Sequence, residues 1–106
     1  MPTVDDPLFR VELMDGVAGA RLSGELDVAS YEAAEEALAP LFEAAGDVTL
    51  DVSDLAFVDS SGIRLFIKLR QALGDRGRLV LRSPMPHVAR VIDVAGLEKL
   101  DVRVEP

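Results

Sequence analysis

Small polar groups concentrate at one place, Asp59-Ser60-Ser61-Gly62, between the apolar stretch Leu55 to Val58 and the run containing Ile63, Leu65, Phe66, Ile67 and Leu69. Such a junction sets hydroxyls at a helix start, where unpaired amides and the positive dipole end stabilise an anion or a phosphoryl group carried on serine. The plainer reading is that Asp59 or Ser60 caps the helix and Gly62 allows close packing. Nucleophilic catalysis requires more, namely an activating base and a group to stabilise developing charge. His87, the single histidine, stands beside Pro86 at the start of another helical stretch, where a solvated surface residue is the plain reading. No Gly-x-Ser-x-Gly elbow and no glycine loop ending in Lys-Ser or Lys-Thr is present. The carboxylate pairs Asp5-Asp6 and Glu35-Glu36 are neighbours in sequence, and adjacent helical residues face different directions. With no cysteine and a single histidine, metal ligation lacks thiolate and any imidazole pair. These residues argue against an enzyme and against a bound metal or cofactor.

The elements that must position this segment follow from periodicity. Leu8 to Met14 and Val17 to Ser23 flank Asp15-Gly16, which suits a two-residue hairpin turn. Placing Met14 opposite Val17 sets Phe9, Val11 and Leu13 across from Leu22, Ala20 and Ala18 on one apolar face, at the cost of Arg10 opposite Arg21. After Gly24-Glu25-Leu26-Asp27 the period lengthens to about 3.6. Tyr31, Ala34, Leu38, Leu41, Phe42 and Ala45 then form one stripe of a helix that Asp27 or Ser30 can cap. Pro40 predicts a kink or a solvent-side bend, and Gly46 a stop. Val48 to Val52 alternate as a strand, Ser53 to Ala56 read as a short connection, and a second helix runs from the serine pair to about Leu73. Leu79 to Leu81 form a further strand, and Pro86 opens a third helix that Gly96 ends. Leu100 to Val104 are an edge strand or a frayed tail.

This order predicts an α/β fold: a mixed sheet of four or five strands, with an antiparallel N-terminal hairpin, parallel strands after it and about three helices mainly on one side. A single domain over residues 1–106 is expected. On the second helix, Ile63, Leu65, Phe66, Ile67, Leu69, Ala72 and Leu73 spread over roughly 220° of arc, wider than the stripe a sheet-packed helix needs. Either neighbouring helices cover the surplus, or it is a face for a partner.

The chain carries 11 Lys and Arg against 19 Asp and Glu, a formal net charge of -8. That balance disfavours nucleic acid and anionic membrane surfaces. Absence of cysteine suits a reducing compartment, and the N-terminal residues lack the basic and apolar segments of an export signal. A cytoplasmic location is the default.

Gly24-Glu25-Leu26-Asp27, Leu50-Asp51-Val52-Ser53, Val58-Asp59-Ser60-Ser61-Gly62-Ile63 and Val88-Ala89-Arg90-Val91 ahead of Ala95-Gly96-Leu97 together resemble the STAS domain, and specifically the bacterial anti-sigma factor antagonists. The resemblance covers about residues 8 to 104. It implies a stress-response partner switch in which Ser60 is the phosphoacceptor. The unphosphorylated protein would bind an anti-sigma factor serine kinase and release the sigma factor, and a PPM-type serine phosphatase would reset the phosphorylated form. The implied docking surface takes in Asp27, Asp59, Ser61, Gly62, Arg64, Leu65, Lys68 and Leu69, on a monomer or weak dimer. The alternative is a STAS subunit that docks on a lipid-transport ATPase without phosphorylation.

Overall fold

The computed structural model describes the backbone of residues 3–6 and the whole of residues 8–106. Alternating apolar residues build one sheet of six strands lying side by side in chain order. These are β1 (Thr3–Asp6), β2 (Phe9–Leu13), β3 (Gly19–Leu26), β4 (Val48–Val58), β5 (Leu79–Arg82) and β6 (Val102–Glu105). The pairs β1–β2 and β2–β3 are antiparallel, and the later ones are parallel. The crossovers carry α1 (Tyr31–Ala37), α2 (Ala39–Phe42), α3 (Ser60–Leu73) and α4 (Pro86–Val94). The fold class is the expected one. The sixth strand, β1, is additional: Thr3-Val4-Asp5-Asp6 holds a single apolar residue, too little alternation to register as a strand.

A single core cluster joins Phe9, Val11, Leu22, Leu50 and Leu81 from the sheet to Ala34, Leu38, Phe66 and Ile92 from the helices. Alternate strand positions, among them Arg10, Glu12, Arg21, Arg82 and Arg103, are exposed. Leu65 and Leu69, expected on a docking face, are 0% and 1% exposed and belong to this core. The surplus arc of α3 is therefore covered by its neighbours, and neither leucine presents a surface. Leu100 to Val104 fall mostly in β6, an ordered edge strand against β5.

The hairpin is real, but its register is two residues away from the one expected. Phe9 lies opposite Gly24, Val11 opposite Leu22 and Leu13 opposite Ala20, and the Met14 amide donates to the Gly19 carbonyl at 3.0 Å. The turn is thus four residues, Asp15 to Ala18, instead of the Asp15-Gly16 pair. Because side chains repeat every two residues, the apolar face survives the slip unchanged. The charges improve: Arg10 now opposes Ser23, and Glu12 opposes Arg21 with 4.0 Å between their charged atoms, so the Arg10–Arg21 clash disappears.

Two further boundaries differ. Pro40 lacks the amide that would bond Glu36, so the expected single helix breaks into α1 and α2 at Leu38 and ends at Phe42, short of Ala45. The Ser53 to Ala56 connection is instead strand, because β4 continues to Val58 across two bulges. Its buried residues are Val48, Leu50, Val52, Leu55 and Val58; each bulge stretches the spacing from two to three, which hides the alternation from a period-two reading. At the first bulge the Asp51 carboxylate accepts from the Ser53 amide at 3.0 Å and the Ser53 hydroxyl at 2.6 Å. Opposite the second, Gly24 has φ of 92°, and a Cβ there would lie 2.1 Å from the Leu8 carbonyl oxygen, so only glycine fits.

Candidate functional site at the ends of β3 and β4

Leu26 and Val58 close the pairing of β3 with β4, and the two strands then leave the sheet at Asp27 and Asp59. Residues just past the carboxyl ends of neighbouring parallel strands share one end of the sheet, where α/β folds place their sites. The Asp59 amide donates to the Leu26 carbonyl at 3.2 Å, tying the start of α3 to the end of β3.

Asp59 is the cap of α3. Its backbone is extended, and its Oδ1 accepts from the Ser61 amide at 2.8 Å and the Gly62 amide at 3.3 Å. Ser60 is therefore not the cap: it is the first residue of the helix, and it is exposed. Gly62, expected on the docking surface, is instead buried, with an added Cβ falling 2.5 Å from Val58 Cγ2 and 2.8 Å from Leu26 Cγ. The missing side chain lets α3 start flat on the ends of both strands. Ser61 is half-buried beside it.

Asp27 performs a parallel task ahead of α1. Its Oδ1 accepts from the Ala29 amide at 3.0 Å and the Ser30 amide at 3.2 Å. Ser30 occupies the cap position, but its hydroxyl donates to the Glu25 carbonyl at 2.8 Å and accepts from the Asp27 amide at 3.0 Å, without capping the helix itself. Both aspartates thus fix turns at the same end of the sheet.

Arg64 and Lys68 follow Ser60 along the exposed side of α3 and reach across to α1. The Arg64 guanidinium lies 5.2 Å and the Lys68 ammonium 5.8 Å from the centre of the Tyr31 ring. Lys68 also pairs with Glu35; that hydrogen bond, with a smaller contribution from Tyr31, holds its ammonium above the ordinary lysine range. His87, at the start of α4, contacts the Ala56 carbonyl through Nε2, and among the described residues no side-chain hydrogen bond links it to Ser60 or Ser61.

Three exposed apolar residues were not singled out by sequence reasoning. Val28, in the turn after Asp27, is 76% exposed, and Phe57, opposite Glu25 at the second bulge, is 46% exposed. Val94, 79% exposed, lies on α4. An isolated valine between Asp27 and Ala29 was the available signal for the first; the bulge concealed the second. Ser60, Ile63, Arg90, Val91, Val94 and Ala95 line a groove of about 360 Å³ between the start of α3 and α4. Among the described residues no helix is long and apolar enough to cross a membrane.

With this geometry the likenesses to known proteins agree. The anti-sigma-B factor antagonist of Staphylococcus epidermidis is 30% identical over 82 residues, which are 76% of either chain. That of Bacillus subtilis (strain 168) is 29% identical over 80 residues, 74% of this chain and 73% of the relative. Among solved structures, an anti-sigma factor antagonist from Mycobacterium paratuberculosis superposes with a TM-score of 0.76 at 27% identity, covering 97% of this chain and 91% of its own. The anti-sigma factor antagonist SpoIIAA in its unphosphorylated form gives 0.68 at 27% identity, covering 91% and 86%. The family model described as "Mlab, STAS domain" matches residues 9–104, a span that takes in both aspartate turns, the serine pair, β2 to β5 and β6 as far as Val104, so that the chain belongs to the STAS domain family.

Proposed function

We propose that this protein is an anti-sigma factor antagonist that works as a phosphorylation-controlled docking module. In its unphosphorylated form it binds an anti-sigma factor serine kinase and so frees the sigma factor. Transfer of the γ-phosphoryl group of ATP to Ser60 ends that binding: a bond forms between Ser60 Oγ and phosphorus, the bond to the ADP oxygen breaks, and a base on the kinase takes the hydroxyl proton. A PPM-type phosphatase reverses the change. The reading makes the protein a cytoplasmic single domain that performs no catalysis of its own. The observation that carries it is Ser60, an exposed serine at the first residue of a long helix whose start is held by Asp59 and the buried Gly62. The functional names of the relatives support it. The docking surface comprises Asp27, Asp59 and Ser61, flanked by Val28 and Phe57 and, further along α3, by Arg64 and Lys68.

Incubation with the cognate kinase and Mg-ATP is expected to add one phosphate, located at Ser60 by mass spectrometry; modification of Ser61, or none, overturns the assignment. Ser60→Ala is expected to keep kinase binding, whereas Ser60→Asp weakens it roughly tenfold or more by placing charge at the rim of the interface. Calorimetry giving equal affinities for the two variants rejects a charge-controlled switch. A second reading within the STAS family is a subunit that docks on a lipid-transport ATPase without phosphorylation. In that case Ser60→Ala and Ser60→Asp bind the ATPase subunit alike, and no kinase modifies the chain.

A further inference from the structure

The groove between α3 and α4 is lined by six residues, of which Ser60 and Arg90 are the two with polar side chains; the others are Ile63, Val91, Val94 and Ala95. A phosphate on Ser60 brings about -1.5 to -2 charges to this rim and needs compensation. The nearest backbone donors are already committed, since Asp59 Oδ1 takes the Ser61 and Gly62 amides. Lys68 is paired with Glu35. Arg64, one turn along α3, lies over the Tyr31 ring. On α4, His87 engages the Ala56 carbonyl, and Asp93 is an exposed carboxylate one turn beyond Arg90. Arg90 is exposed and, among the described residues, takes part in no side-chain hydrogen bond or ion pair, whereas Lys68 is held by Glu35 and Arg64 lies over Tyr31.

We propose that Arg90 is a positioning residue that takes up the phosphate of phosphorylated Ser60, closing the groove between α3 and α4. This rests on the reading of Ser60 as the phosphoacceptor. A guanidinium offers a planar pair of donors that matches a phosphate edge, on a side chain long enough to lie along the apolar wall. Phosphorylation then alters the surface in two ways. It withdraws a free cation from a partner's reach, and it covers an apolar strip that includes Val94. The switch is one of shape as well as of charge, and the added negative charge is in part neutralised within the molecule.

The test uses protein carrying genetically encoded phosphoserine at position 60, so that no kinase is needed. Titration of the phosphate by ³¹P NMR is expected to give a second pKa lower by roughly one unit than in the same protein with Arg90→Gln, because an opposite charge in contact favours the dianion. Arg90→Lys recovers part of the shift, and Arg64→Gln leaves it in place. Coincident curves for wild type and Arg90→Gln overturn the proposal, as does a shift that vanishes only with Arg64→Gln. The Arg90 Nε–H resonance of the otherwise unmodified sequence gives a second readout independent of any substitution: it moves on phosphorylation if the guanidinium is engaged, and an unmoved signal also overturns the proposal. Failure of a kinase to modify Ser60 rejects the switch itself and leaves these titrations standing, so the two failures are distinguishable.

Discussion

At the scale of single residues, Asp59, Ser60 and Gly62 divide one task. Asp59 takes the free amides, Gly62 removes the bulk between α3 and the strand ends, and Ser60 is left exposed. Gly62→Ala is expected to cost about 1–3 kcal/mol in urea unfolding, since the added methyl meets Val58 and Leu26 and overpacks the junction. A change within error would mean that α3 slides to accommodate a side chain, and that the glycine has another purpose. The tetrapeptide was legible in the sequence because polar residues interrupted two apolar runs. Which of Asp59 and Ser60 capped the helix was not, because both types cap well and only the backbone path decides.

At the scale of elements, β4 shows why a correct periodicity argument stops where a strand bulges. Val48, Leu50 and Val52 announced the strand, and then Leu55 and Val58 fell out of step by one residue each. The first bulge is held by Asp51, whose carboxyl lies below its ordinary range: burial pushes it up, but the Ser53 hydroxyl and amide and the nearby Arg21 outweigh that. A depressed folded-state value means stability that is present above the usual carboxylate range and lost as pH falls through it. Asp51→Asn is therefore expected to flatten the pH dependence of unfolding below about pH 4 relative to wild type; identical acid-unfolding profiles would remove Asp51 from the account. The hairpin taught a related lesson. Its facial pattern was readable because any even slip preserves it, while the register was chosen by the turn and by Glu12 meeting Arg21, which hydrophobic alternation does not encode.

At the scale of the molecule, apolar residues from one sheet face and from the helices form a single cluster, and the opposite strand positions carry charge. A wide apolar arc on α3 read equally well as surplus surface or as core, because the sequence of one helix does not state how many neighbours lie against it. The structure assigns Leu65 and Leu69 to the core. Leu65→Glu is accordingly expected to bury an unpaired carboxylate and consume most of a stability of about 5–15 kcal/mol, with loss of the thermal transition seen by circular dichroism. A variant that melts normally yet fails to bind its partner would return Leu65 to the surface. The net charge of -8 is likewise refined by position, since the cations Arg64, Lys68 and Arg90 are exposed along α3 and α4.

The sheet order β1-β2-β3-β4-β5-β6 repeats the chain order. Every strand docks beside the one that precedes it, so no gap has to be held open for a later strand to be threaded into. Assembly can run in the direction of synthesis, with each crossover helix closing over strands already laid down, and the loop-closure entropy is met in several short instalments instead of one long one. On such a route the newly made chain exposes at any moment only its most recent edge.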